Sequence, residues 1–222
     1  VIARHIARLL CAAVVTTSAL LSAPLPFAAA QPCPDVEIVF ARGTYEPPGV
    51  GGMGQAFVDS LRSQVGTKSV GVYPVSYPAS TDFPTAVDGV RDAAVHVESM
   101  AANCPNTKMV LGGFSQGAAV MGFVTSDVVP EGVAAADVPG PMPGKVADHV
   151  AAVALFGKPS NQFMRTIGAP PIAIGPLYTG KTIDLCVAND PICADTGDGY
   201  AHNLYSVNGM TGQAATFAAS RL

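Results

Sequence analysis

A serine flanked by glycines stands near the middle of the chain, in "VLGGFSQGAAV" (Val110 to Val120), as Gly113-Phe114-Ser115-Gln116-Gly117. This is the G-x-S-x-G pattern, in which the serine occupies a sharp strand-to-helix turn that presents its hydroxyl to a substrate. With 23 glycines in 222 residues, the pentapeptide would arise by chance in roughly one such chain in ten, so its meaning depends on context. A serine hydroxyl becomes an effective nucleophile when a histidine takes its proton and a carboxylate holds that histidine in the right tautomer. In hydrolases built on this turn the chain order is serine, acid, histidine. Of the 4 histidines, His5 lies in the N-terminal segment, His96 precedes the serine and His149 precedes an apolar run. His202 alone follows Ser115 with a loop carboxylate between them. Asp184, Asp190, Asp195 and Asp198 are the acids nearby, and Asp190 is the one enclosed by Cys186 and Cys193. Asp195 and Asp198, in "ADTGDGYA", read as turn residues, and "NDP" around Asp190 is itself a turn sequence.

Acyl transfer also needs donors for the oxyanion that forms when the serine attacks. One is the N–H of the residue after the nucleophile, Gln116; the other comes from the loop after an early strand. "ARGTYEPPG" is that loop, and Thr44 offers both an N–H and a hydroxyl. Loss of one such donor typically costs about 3 kcal/mol of barrier.

The elements needed to hold these residues are legible as alternating patterns. "VEIVFA" (Val36 to Ala41) reads as a strand, and the segment after it spaces Met53, Phe57, Leu61 and Val65 as one face of a helix. "SVGVYPVSY" is a second strand. "TAVDGVRDAAVHVESMAANC" is a long helix with Val87, Val90, Ala94, Val97 and Ala101 on one stripe. "KMVLGGF" is a third strand, ending at the serine, and "SQGAAVMGFVTSDV" is the helix that leaves it. After a loop rich in Pro, Gly and Ala, "VAAVALFG" and "KTIDLC" are two buried strands and "TGQAATFAASRL" a closing helix. Near-continuous apolar strands alternating with helices imply a parallel sheet covered on both faces, whose functional loops leave the carboxyl ends of the strands. Ser115 lies at one of those ends. His96 reads as a half-buried helix residue and His149 as a surface one.

Arg4 and Arg8 ahead of an apolar, small-residue run, ending in "PFAAAQPCP", form a signal-peptide pattern over residues 1–30, leaving one domain over 31–222. Its removal takes two positive charges from a chain of formal net charge -4, so the remainder carries about -6. No basic run, phosphate loop, zinc spacing or long repeat occurs, which excludes nucleic acid as a partner and points to no metal or organic cofactor. Cys11 leaves with the signal, and the remaining Cys33, Cys104, Cys186 and Cys193 permit three pairings. The close spacing favours Cys186 with Cys193, hence Cys33 with Cys104. Loop-closure entropy assigns about 2.5 kcal/mol to the small ring and about 4.4 to the large one. The larger bond is chiefly structural, while the small ring holds Asp190 in place.

Taken together, "VFARGTYEPPG", "CPNTKMVLGGFSQGA", "VAAVALFGKPS", "LCVANDPIC" and "AHNLYSVNGM" resemble the cutinases, and more narrowly the secreted cutinase-like esterases of mycobacterial type. The resemblance spans essentially all of residues 31–222. It implies a three-layer α/β/α hydrolase-type sandwich with a central five-stranded parallel sheet. It also implies Ser115 as nucleophile, Asp190 as acid, His202 as base, Thr44 and Gln116 as oxyanion donors, and the same two disulfide pairings. The implied activity is hydrolysis of short- to medium-chain acyl esters, cutin-like polyesters or lipids, by a monomer with at most peripheral lipid or cell-envelope contact. A lipase, phospholipase, thioesterase or acyltransferase would use the same triad; a secreted binding protein would not need it. Phe114 stands where tyrosine is usual, and the stretch from Thr125 to Gly144 is longer and richer in Pro than in compact fungal members. Apolar residues for an acyl groove occur in "MRTIGAPPIAIGPLY" and at Pro191 and Ile192.

Overall fold

The structure, a computed structural model, describes residues 32–129, 138–194 and 196–222. The expected export segment, the middle of the Pro-rich loop and Asp195 lie outside these residues.

Five parallel strands form one sheet: β1 (Val36–Ala41), β2 (Val70–Pro74), β3 (Lys108–Phe114), β4 (Val150–Phe156) and β5 (Thr182–Leu185), in the order β2-β1-β3-β4-β5. The helices are α1 (Gly51–Arg62), α2 (Ala86–Asn103), α3 (Gln116–Val124), α4 (Gly144–Ala147), α5 (Asn161–Thr166), α6 (Pro176–Thr179) and α7 (Met210–Ala219). Successive side chains of a strand point to opposite faces, and β1 shows how that builds three layers. Val36, Ile38 and Phe40 pack with Met53, Phe57 and Leu61 of α1 and Ala214, Ala215 and Ala218 of α7. Val39 and Ala41 pack on the other face with Val90, Ala93 and Val97 of α2 and Ala118, Val120 and Met121 of α3. The α/β/α sandwich expected from the alternation is the architecture observed.

Within the first layer the Phe57 ring meets Phe156 edge-on at 5.5 Å, the centre of a dry aromatic contact between α1 and β4. The second layer differs in detail from the sequence pattern. Helix α2 buries Ala86, Gly89, Val90, Ala93, Ala94 and Val97, so its inner face keeps Val90, Ala94 and Val97 of the expected stripe and widens toward small residues, leaving Val87 half-buried. The cause is Tyr77, whose ring lies on Gly89: a β-carbon there would meet it at 3.0 Å. Short α4, α5 and α6, which the sequence pattern did not predict, run for one or two turns each.

Disulfides join Cys33 to Cys104 and Cys186 to Cys193. The first ties the segment entering β1 to the end of α2; the second closes the loop after β5. His96 on α2 lies 2.9 Å from Glu37 of β1 and stacks on Tyr73 of β2 at 3.5 Å. It pins α2 across two strands, in keeping with its reading as a structural residue. Among the described residues, no helix is long and apolar enough to cross a membrane.

Candidate active site

β3 and α3 meet at Ser115, whose backbone sits at φ 55, ψ -117, a conformation that L-residues rarely adopt. Three hydrogen bonds hold it there. Ser115 N–H donates to the Phe156 carbonyl at 2.9 Å, and the Ser115 carbonyl accepts from Ala118 N–H at 2.9 Å and Ala119 N–H at 3.1 Å. Both glycines of the pentapeptide are steric requirements of this turn. A β-carbon on Gly113 would lie 2.2 Å from the Gly117 carbonyl oxygen, and one on Gly117 would lie 2.0 Å from that of Ala41. The turn therefore closes on itself and against the end of β1. Gln116 opens α3, so its N–H is one of the first-turn donors that no helix bonds internally. Its side chain is buried and donates to the Ser80 carbonyl at 2.8 Å.

The loop after β1 reaches the same end of the sheet and is held by residues the sequence pattern did not single out. Buried Arg42 donates from Nε to the Glu46 carbonyl at 2.9 Å and from Nη2 to the Tyr77 carbonyl at 2.6 Å, while the Tyr77 hydroxyl donates back to the Arg42 carbonyl. Burial pushes the Tyr77 phenol well above its ordinary range, so it remains a donor. The Glu46 carboxylate accepts from Gly43 N–H and Gly52 N–H, both at 2.7 Å. It bridges the turn to the N-terminus of α1, where a negative charge is favourable. Thr44 sits inside this braced turn, and Gly43 packs on Phe114: a β-carbon there would meet the ring at 2.7 Å.

Phe114 is the meeting point of the loops. The His202 imidazole also stacks on the ring, with centroids 4.8 Å apart and planes 24° from parallel. His202 Nδ1 is 2.8 Å from Asp190 Oδ2. Asp190 is fully buried, yet both oxygens of its carboxylate are hydrogen-bonded. Oδ1 accepts from Ile192 N–H at 2.9 Å, and Oδ2 accepts from the Tyr205 hydroxyl at 2.6 Å as well as facing His202. A buried carboxylate without such partners would be costly to keep charged. Thus Ser115, Asp190, His202, Thr44 and Gln116 all lie at the carboxyl end of the sheet, with Phe114 bridging the Ser115 turn to both the loop after β1 and His202.

Two further connections place Asp190 and His202. Asp198, read as a turn residue, does that work here: its Oδ1 accepts from Tyr200 N–H at 2.9 Å and Ala201 N–H at 3.3 Å, capping the short 3₁₀ turn that carries His202. Its own N–H donates to the Asn189 carbonyl at 3.0 Å, joining that turn to the Asp190 loop. Gly157, just past β4, leaves the space in which the groups converge. It has φ +58, and a β-carbon there would come within 2.9 Å of the Tyr205 hydroxyl, 3.1 Å of Asp190 Oδ2 and 3.1 Å of His202 Cε1. Gly157→Ala is therefore expected to lower kcat/KM about 100-fold by displacing the imidazole and carboxylate. The strained φ should lower the Tm by about 3–6 °C, corresponding to about 1–2 kcal/mol. Steady-state kinetics and a melting curve on the same preparation check both.

The apolar residues expected to line an acyl groove are divided, and the cavity that some of them line includes none of Thr44, Ser115, Gln116, Asp190 and His202. Ile167, Ala169 and Pro170 line a cavity of about 530 Å³ together with Phe83, Val87 and Phe123. Met164, Ile172 and Tyr178 are core residues, Leu177 is exposed, and Pro191 and Ile192 are half-buried beside Asp190. Only part of the "MRTIGAPPIAIGPLY" stretch is thus available to line a groove. Among the described residues, no cluster of His, Cys, Asp and Glu could hold a metal ion.

Comparison with known proteins gives a consistent picture. The chain is 64% identical over 166 residues to "Probable carboxylesterase Culp5" of Mycobacterium tuberculosis, covering 75% of this chain and 95% of the relative. It is 50% identical over 224 residues to "Carboxylesterase Culp1" of the same organism, covering 99% and 97%. Among solved structures, a Trichoderma reesei cutinase in complex with a phosphonate inhibitor superimposes with a TM-score of 0.66 at 33% identity, over 85% of this chain and 77% of that one. The family model for cutinase matches residues 32–222, and the chain belongs to the cutinase family.

Proposed function

We propose that this carboxylic-ester hydrolase is a secreted serine esterase acting through an acyl-enzyme, with Ser115 as nucleophile, His202 as general base and acid, and Asp190 as the residue that orients His202. The observation that carries the reading is the 2.8 Å Asp190–His202 contact with the imidazole stacked on Phe114, the residue before the strained serine. His202 Nε2 takes the Ser115 proton as Oγ bonds to the ester carbonyl carbon. The carbonyl oxygen becomes an oxyanion facing the Gln116 N–H and the Thr44 donors. Collapse breaks the bond to the alcohol oxygen, which leaves with the proton from His202. Water, deprotonated by the same imidazole, then attacks the acyl-enzyme and releases the acid. Each step returns the proton it took, so no cofactor is called on.

The substrate class proposed is the short- to medium-chain acyl ester, free or in a lipid. Half-buried Pro191 and Ile192 beside Asp190 supply apolar surface for it. Export is supported by the N-terminal pattern and by two disulfides, which persist in oxidising compartments.

The test is covalent trapping combined with a p-nitrophenyl ester series from two to sixteen carbons. A fluorophosphonate should add one phosphonyl group, located by mass spectrometry on the peptide holding Ser115, and ester hydrolysis should fall in proportion to labelling. Activity should peak at short to medium chains. Labelling at another serine with full loss of activity would overturn the assignment, and a maximum at sixteen carbons would replace the substrate class with long-chain lipids.

A further inference from the structure

Tyr205 is fully buried, and its ring is wedged between Phe114, Phe156 and His202, with centroids at 5.6, 6.4 and 6.1 Å. Its hydroxyl accepts from Val187 N–H at 3.1 Å and donates to Asp190 Oδ2 at 2.6 Å, the oxygen that also faces His202 Nδ1. Cys193 Sγ touches the same two groups, 3.2 Å from the hydroxyl and 3.3 Å from Oδ2. Gly157 lacks the side chain that would push them apart.

From this arrangement we infer that Tyr205 is a positioning residue for the acyl-transfer reaction: its hydroxyl fixes the Asp190 carboxylate and shares the charge that Asp190 presents to His202. The inference rests on the proposed triad. A carboxylate held only through Oδ1 by Ile192 N–H could rotate about its Cβ–Cγ bond and carry Oδ2 off the imidazole. A second donor on Oδ2, itself fixed by Val187 N–H, removes that freedom. It also spreads part of the negative charge onto the phenol. Burial, followed by the hydrogen bond to Asp190, pushes the Tyr205 phenol well above its ordinary range, so it acts as a neutral donor throughout the working pH range.

The charged groups around this cluster are few. Asp190 faces His202 from the disulfide loop. Asp184 on β5 is paired with Lys158 at 3.3 Å, and Asp198 is engaged in capping the His202 turn. None of the three latter groups contacts Oδ2, so a change at Tyr205 is read through Asp190 and His202.

The experiment is Tyr205→Phe, which deletes the hydroxyl and keeps the ring packing. Expected is a 10- to 100-fold fall in kcat with KM unchanged, the range for a lost hydrogen bond to a charged group. The acid limb of the kcat/KM profile should move to higher pH, because the unshared carboxylate holds the proton on the imidazole more tightly. In an Asp190→Asn background, Tyr205→Phe should cause no further loss, since both act through one group. 3-Fluorotyrosine placed at position 205 has a more acidic phenol and a stronger donor, so it should move the limb the opposite way; this keeps the test decisive if the Phe variant folds poorly. An unchanged kcat and acid limb in folded Tyr205→Phe, or losses that add in the double variant, would overturn the inference while leaving the triad standing. Wild-type activity that survives Ser115→Ala would instead remove the triad and the inference with it.

Discussion

Ser115→Ala is expected to lower kcat about a million-fold, if Ser115 is the nucleophile proposed, while the protein folds normally and KM stays close to that of the wild type. The size follows from what Oγ does: no other atom in the turn can form the acyl bond, and His202 and Asp190 have nothing to deprotonate once it is gone. Residues of a triad act as a unit, so the loss of one forfeits the contribution of all. What survives is substrate held against the oxyanion donors, a residual catalysis of about 10³- to 10⁴-fold over water. Fold is retained because alanine keeps the β-carbon. The backbone cost of φ 55 is the same for either residue, and the bonds from Ser115 N–H to Phe156 and from Ala118 and Ala119 to the Ser115 carbonyl are main-chain bonds. Pre-steady-state measurement with excess p-nitrophenyl ester should show no rapid release of nitrophenol from the variant. A kcat within tenfold of wild type would take Ser115 out of the chemistry and redirect attention to another nucleophile.

This turn was legible in the sequence because everything that makes it is local. A strand ending in Phe114, glycines at 113 and 117 and a helix opening at Gln116 are consecutive, and the pattern of small residues states the steric problem directly. The same holds for β1, β3 and β4, whose apolar runs are long enough to read; β5, expected from "KTIDLC" to be buried, is a four-residue edge strand with Asp184 exposed and only Leu185 buried. Asp190 and His202 could be selected by chain order and by the cysteines around Asp190. Less was legible where function depends on contacts between distant segments. Nothing in the local sequence marks Gly157 as the gap into which Tyr205, Asp190 and His202 fit, nor Arg42, Glu46 and Tyr77 as the brace of the Thr44 turn. Tyr205 stands three residues after His202, a spacing that also fits a core residue on a helical turn. Helices α4, α5 and α6 are too short for periodicity to register, and such lengths form only when tertiary packing supports them. The stripe of α2 read from its larger apolar residues holds at Val90, Ala94 and Val97, but the buried face also takes in Ala86, Gly89 and Ala93, small residues that a search for apolar periodicity passes over, with Tyr77 packed on Gly89.

In the proposed triad Asp190→Asn is expected to lower kcat about 10⁴-fold, although it changes one oxygen to nitrogen and leaves the side-chain volume intact. The reason lies in the hydrogen bonds around the carboxylate. Ile192 N–H at 2.9 Å from Oδ1 demands an acceptor there, so the amide of the variant places its oxygen at that position and its NH₂ where Oδ2 was. That NH₂ now faces His202 Nδ1, which must give up its proton and accept. The imidazole proton moves to Nε2, the nitrogen that has to receive the Ser115 proton, and the base is lost. The opposite orientation keeps the histidine tautomer but sets NH₂ against the Ile192 N–H, leaving two buried donors face to face at a cost of about 1–3 kcal/mol. It also leaves a neutral amide where the imidazolium of the transition state needs a charge. Either way the barrier rises, and the Tyr205 hydroxyl, whose partner at Oδ2 is replaced by a donor in the first orientation, cannot compensate. Stability should move much less than activity, because burying an amide in place of a carboxylate relieves desolvation while disturbing the hydrogen bonds. The measurement is kcat for a short-chain p-nitrophenyl ester together with a melting curve. A loss below tenfold in the folded variant would mean that His202 takes its orientation from the Phe114 stack alone, and that Asp190 belongs to the loop's architecture and not to its chemistry.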